Sequence, residues 1–98
     1  MNMQAMLKQA QTMQKQMMNT QEEINKMKFI GKSSLVTIEM LGDRTVNSCC
    51  IKSEMLEKDD IEMVQDMIVL ATNDALSQIN KITEEKMGVY TKGIPGLF

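Results

Sequence analysis

The chain opens with apolar residues spaced alternately three and four apart: Met3, Met6, Ala10, Met13, Met17, Ile24 and Met27, with Thr20 as the interruption. Spacing of this kind lines one narrow stripe of an α-helix, the seam that a helix presents to another helix. A helix from Met3 to Met27 would be ~38 Å long at 1.5 Å per residue, longer than the core of a small domain covers. We therefore expect residues 1–28 to form a projecting helix whose seam serves as a dimer or helix-packing surface.

The period then shortens. Phe29-Ile30-Gly31-Lys32-Ser33-Ser34 reads as a brief strand or an extended turn. From Leu35 to Leu41 the pattern alternates, with Val36, Ile38 and Met40 on one side and Thr37 and Glu39 on the other, as in a half-buried strand. Gly42-Asp43 supplies turn chemistry, because Gly tolerates positive φ and Asp caps its own backbone, and Arg44 to Lys52 returns as a second strand. Residues 29–53 are thus expected to form a small antiparallel sheet of two to three strands.

Asp59 and Asp60 offer acceptors and negative charge at the start of a second long helix, 59–87. Its stripe of Ile61, Val64, Ile68, Ala71, Ala75, Ile79 and Ile82 is broadened by Met67, Leu70 and Leu76, wide enough to cover a sheet as well as a helix. Met87-Gly88 is expected to close this helix, since Gly takes the left-handed conformation at low cost. Pro95 and the neighbouring glycines would leave 88–98 as a flexible tail. The expected fold class is α+β, one domain over residues 1–98.

Composition adds a tendency to self-associate. A chain of 98 residues buries a modest fraction of its surface. Its aromatics are Phe29, Tyr90 and Phe98, with no Trp, so Met, Ile, Leu and Val fill the interior. Met fixes geometry weakly, and such an adaptable core favours a homodimer that shares its buried surface. No apolar run approaches the ~20 residues that cross a bilayer, and the amino end lacks a secretory pattern, so a cytoplasmic protein with no membrane partner is expected.

Candidate chemistry is sparse. Cys49 and Cys50 are adjacent, so in a strand they point to opposite faces, which suits neither a structural disulfide nor a metal cage. We expect reduced thiols, one a small core residue and the other on the surface. Without His or spaced Cys pairs, the usual zinc sites are excluded, and no metal or cofactor is implied. No Ser/His/Asp set can form and the glycines lack phosphate-loop spacing. Capping accounts for Asp59, Asp60, Glu62 and Asp66, so neither an enzyme nor a small-molecule substrate is expected.

Charge is unevenly placed. The net charge is −2, yet Lys8, Lys15, Lys26 and Lys28 outweigh Glu22 and Glu23 through Ile30, whereas from Asp59 onward seven carboxylates face three lysines. A basic amino-terminal helix on an acidic body would attract polyanions in one orientation and repel them in others.

Several segments share a further likeness: Leu7-Lys8-Gln9-Ala10-Gln11 followed by Met13-Gln14, the Leu35-Val36-Thr37 strand, Ile51, Asn73-Asp74-Ala75, Met87-Gly88 and the Pro95-Gly96-Leu97-Phe98 ending. Across nearly its whole length the chain resembles the YbaB/EbfC family of small bacterial nucleoid-associated proteins. It departs from the family's pattern in a shorter Gly31–Ser34 turn and in the absence of a Pro soon after Ile51. The resemblance implies a pincer-shaped homodimer whose helices project and bind double-stranded DNA at the nucleoid, altering its conformation or compaction and influencing gene expression.

In that setting Lys8 and Lys15, with Gln4 and Gln11 beside them, lie opposite the seam on the heptad. Lysines contact phosphates there, while amides bond phosphate or base edges. Lys8, Gln11 and Lys15 are therefore candidate DNA contacts, and Lys26, Lys28 and Lys32 near the helix–sheet junction form a second basic group. The lack of stacking aromatics favours duplex over single strands. Two plainer readings stay open: an ordinary solvated lysine face, and a helical interaction module whose Met-rich seam holds a polypeptide partner.

Overall fold

The computed structural model describes residues 2–52, 54 and 56–91. Helix α1 (Met3–Lys26) is followed by strands β1 (Lys28–Ser33), β2 (Val36–Leu41) and β3 (Val46–Ile51), a 3-10 turn at Lys58–Asp60, and helix α2 (Ile61–Thr91). The α+β order expected from the sequence holds, and the short segment after α1 is a full strand. The sheet is antiparallel in the order β1-β2-β3.

Each element starts and stops for a local reason. Asn2 caps α1, its Oδ1 accepting the Gln4 amide at 3.0 Å. At the other end Met27 turns to extended backbone, and its carbonyl accepts the Gly42 amide at 2.9 Å, which ties the end of α1 to the β2–β3 turn. Before α2, the Asp60 carboxylate accepts the Glu57 amide at 2.7 Å, so acidic capping occurs one turn ahead of Ile61.

The core lies on one face of the sheet. Phe29, Val36, Ile38 and Met40 pack against Ala71, Ala75 and Ile79, with Met67, Ile68, Leu76 and Ile82 around them. Val36, Ile38 and Met40 are buried while Thr37 and Glu39 are half-exposed, the alternation anticipated for this strand. Gly31 sets how closely α2 approaches, because a Cβ there would sit 2.0 Å from the Ala71 carbonyl oxygen and 2.7 Å from the Ala75 nitrogen. Small residues on both sides bring helix backbone against strand backbone.

Four expectations are corrected. Gly42 does not supply positive φ to the hairpin; Arg44 does, at φ 70°. Gly42 is needed because a Cβ would lie 1.7 Å from the Ile24 carbonyl oxygen, where α1 ends against the turn. Asp43 does cap as expected, accepting the Thr45 amide at 2.9 Å. Leu35 belongs to the β1–β2 turn, beside Ser34 at φ 35°, and not to the strand.

Helix α2 does not close at Met87-Gly88 but continues through Gly88 to Thr91. The Tyr90 hydroxyl meets the Thr20 hydroxyl at 3.0 Å, which holds the last turn against α1 and offsets the ~1 kcal/mol that an interior glycine costs a helix. Of the expected tail, 88–91 is therefore helical, and 92–98 lies outside the described residues.

Both Cys49 and Cys50 are free and exposed, so neither is a core residue. The cause is coverage. Helix α2 packs on β1 and β2, and Val46 through Cys50 of β3 are all exposed.

Candidate nucleic-acid interface

Helix α1 is packed at one end and bare at the other. Ile24 is fully buried, Met13, Met17 and Met27 are half-buried, and Met3, Met6 and Ala10 are exposed. The seam thus packs within this chain near the body and runs out uncovered toward the amino terminus. The molecule measures 70 × 23 × 13 Å, with a radius of gyration of 19.6 Å against ~13 Å for a compact chain of this length. The projection expected from the length of the helix is present.

Opposite the seam the helix carries its cations. Residues seven and eleven apart on an α-helix differ by only about 20° in direction, so Lys8, Lys15 and Lys26 fall on one line spanning ~27 Å. Lys26 therefore joins the α1 row, whereas sequence spacing grouped it with the sheet lysines. All three are exposed, and among the described residues none forms an ion pair or side-chain hydrogen bond. Gln11 is exposed beside the row, and the Thr12 hydroxyl donates to the Lys8 carbonyl at 2.9 Å, leaving the Lys8 side chain uncommitted.

The second basic group is divided by strand geometry. In β1 Phe29 and Gly31 face α2, so Lys28, Ile30 and Lys32 point to the open face of the sheet, all exposed. Lys28 and Lys32 stand at opposite ends of the strand, ~13 Å apart. The Lys32 amide donates to Asp74 Oδ2 at 3.0 Å and the Ile30 carbonyl accepts from Gln78 Nε2 at 2.8 Å, so α2 fixes this edge and leaves the lysine side chains free. Lys52, past the end of β3, is exposed and shares the open-face alternation with Ser48 and Cys50. The sequence reading passed over it, although the period of two was the available signal.

Other charged groups are occupied or elsewhere. Arg44, the chain's one Arg, donates to Asn80 Oδ1 at 2.7 Å and braces the hairpin against α2, so no guanidinium fork is presented on α1. Hydrogen bonds from the Thr45 hydroxyl and amide hold the Asp43 carboxyl below its ordinary value of 3.8. Among the described residues no three His, Cys, Asp or Glu gather into a metal-binding group, and no helix is long and apolar enough to cross a membrane. What this surface offers is a row of uncommitted cations on a rod, suited to a regular line of anions.

Comparison with known proteins agrees with that chemistry. The model of the YbaB/EbfC DNA-binding family matches residues 1–94. A nucleoid-associated protein of Lactococcus lactis subsp. lactis is 56% identical, the match covering 97% of this chain and 98% of its own length. Nucleoid-associated proteins of Enterococcus faecalis (47% identical, 97% and 93% covered) and Streptococcus thermophilus (44%, 97% and 98% covered) are similarly close in extent. A match to DNA-binding proteins over nearly the whole chain weighs against a module that holds only a polypeptide.

Proposed function

Since the chain belongs to the YbaB/EbfC DNA-binding family, a non-enzymatic class, we propose that it binds double-stranded DNA as a homodimer at the bacterial nucleoid, gripping the phosphate backbone with its projecting helices. The observation that carries this reading is the row Lys8, Lys15 and Lys26 on the solvent side of α1. Its ~27 Å span matches about eight base pairs of duplex at 3.4 Å per step along a strand. Lys28 and Lys32 extend the positive surface onto the open sheet face, and Gln11 adds an amide within reach of phosphate or base edges.

Charge and shape supply the mechanism. Each lysine that meets a phosphate displaces condensed counterions, and that release drives binding with little regard to base sequence. The α1 face carries no Arg, so it lacks the forked donor that reads guanine most often. The acidic body, with Asp59, Glu62, Asp66, Glu84 and Glu85 exposed, repels the polyanion and keeps the duplex on the projecting helices. Two such helices on one dimer would hold two stretches of phosphate at a fixed angle, which alters the path or compaction of the DNA and, through that, gene expression.

The test is a titration of a short duplex by fluorescence anisotropy at about 50 and about 200 mM salt. Six to ten phosphate contacts predict an affinity loss of roughly a thousandfold or more between those conditions. Affinity that ignores salt, or binding of a protein partner that survives nuclease while the duplex goes unbound, would contradict the proposal.

A further inference from the structure

Helices α1 and α2 come together at two levels. Ile24, near the end of α1, lies on Gly42 of the β2–β3 turn, and the same turn is held to α2 by Arg44 donating to Asn80. Further from the sheet, the Thr20 hydroxyl meets the Tyr90 hydroxyl at 3.0 Å. From the first level to the second the numbering rises along α2 and falls along α1. The two helices therefore run antiparallel, and α2 aims its carboxyl end along the outer half of α1.

That outer half carries a strip with no cover among the described residues. From Thr20 to Met3 the helix runs on for ~26 Å, its seam passing from half-buried Met17 and Met13 to exposed Ala10, Met6 and Met3. Gln9 and Gln16 flank it, and no carboxylate occurs before Glu22. The sequence that follows Thr91 is Lys92-Gly93-Ile94-Pro95-Gly96-Leu97-Phe98. Pro95 lacks an amide hydrogen and steers Ile94 to extended backbone, so this stretch favours an extended path over further helix. It brings three large apolar side chains, Ile94, Leu97 and Phe98, and one charge, Lys92.

We propose that residues 92–98 lie along the outer half of α1 of the same chain as an extended strap on its Met seam. The lengths match. An extended chain advances ~3.3 Å per residue and a helix 1.5 Å. Measured from the Thr20–Tyr90 contact, Ile94 comes level with Met13, Gly96 with Ala10, and Leu97 and Phe98 with Met6 and Met3, each to within ~3 Å. Large side chains meet large ones, and the glycine falls where α1 has its small residue.

The strap has a consequence for the lysine row. Lys8 and Lys15 stand opposite the seam, so a covered seam leaves them open to solvent. The outer half of α1 is close to the ~12–15 residues at which an isolated helix is marginal in water, and apolar cover on one side steadies it. The proposal concerns how the rod is held and does not depend on what the row binds.

The test uses the full chain in a Cys49→Ser/Cys50→Ser background, which removes both native thiols. Met6→Cys/Leu97→Cys sets two thiols at one level on the seam side, whereas Gln4→Cys/Leu97→Cys sets the first on the opposite side of α1. Diamide oxidises two neighbouring thiols to a disulfide, its N=N bond taking up the two electrons and two protons to become a hydrazine. Expected by mass spectrometry and a non-reducing gel are an intrachain disulfide, lighter by two hydrogens, in the first variant and free thiols in the second. Hydrogen exchange on the native sequence gives a second readout: amides of residues 6–13 should exchange roughly tenfold more slowly than in Leu97→Ser/Phe98→Ser. Equal linking in the two cysteine pairs, or equal exchange with and without Leu97 and Phe98, overturns the proposal. A link that requires Met6→Cys but joins two chains also overturns it, because the seam is then covered by a partner's segment.

Discussion

The two halves of α1 have the same composition pattern and opposite circumstances. Near the body, Ile24 is fully buried beneath the β2–β3 turn and Thr20 bonds Tyr90; toward the amino terminus, Met3 is 76% exposed and Met6 50% exposed although they continue the same stripe. One half is held by tertiary contacts, and among the described residues the other is held chiefly by helix hydrogen bonds and the Asn2 cap. The lysine row runs over both halves without a break. The packed half thus fixes the direction of the rod, and the free half delivers cations away from the acidic body.

That contrast is broken most severely at Gly42. Replacement by Ala sets a methyl group 1.7 Å from the Ile24 carbonyl oxygen, a clash with backbone that only separation of α1 from the turn relieves. We expect a loss of more than ~3 kcal/mol, or failure to fold, in urea denaturation followed by circular dichroism. A Gly42→Ala protein as stable as the wild type would show that the turn does not anchor α1.

Next in size is the matched pair Ile24→Ala and Met6→Ala, the same truncation on the two halves. Removing the buried side chain is expected to cost ~2–5 kcal/mol, and removing the outer one, covered at most on one side by the strap, about 1 kcal/mol or less. Equal losses would mean that the outer seam is buried in solution as deeply as Ile24. Met6→Ala would then report a contact made by a partner.

The smallest effect lies in the acid limb. Asp43 is held below 3.8 by Thr45, so the folded protein binds its proton less readily than the unfolded chain does. Its contribution is present above about pH 4 and is lost as the pH falls through the lowered folded value. Asp43→Asn should therefore lower stability slightly and by a constant amount above about pH 4, and the gap to the wild type should close as the pH falls through the lowered folded value. A large loss at neutral pH would contradict this.

What the sequence shows of this molecule depends on whether a feature is periodic. The α1 seam, the β2 alternation and the α2 stripe repeat along the chain; the structure realises the β2 alternation throughout, covers the α1 seam only toward the body, and leaves Ile61 and Leu70 of the α2 stripe exposed. Positions determined by contact between distant segments were not readable. Gly42 looked like a turn glycine because the approach of Ile24 leaves no mark on its neighbours, and Gly88 looked like a stop because the hold of Thr20 on Tyr90 comes from seventy residues away. Cys49 and Cys50 illustrate the same limit. Strand alternation gives each a face, but only the placement of α2 over β1 and β2 decides that neither face is buried. In the candidate site, Lys8 and Lys15 were visible from heptad geometry, whereas Lys26 needed the unbroken helix to join them.

One measurement bears most directly on the lysine row as the DNA-binding surface: the slope of log affinity against log salt for a short duplex, compared between Lys8→Gln/Lys15→Gln and the charge-matched Lys81→Gln/Lys86→Gln on the body. Each phosphate contact contributes about 0.9 to the slope, so the α1 pair, counted on both protomers, should lower it by roughly 3 to 4. The body pair should leave it unchanged. Equal slopes for the two double variants would contradict the account.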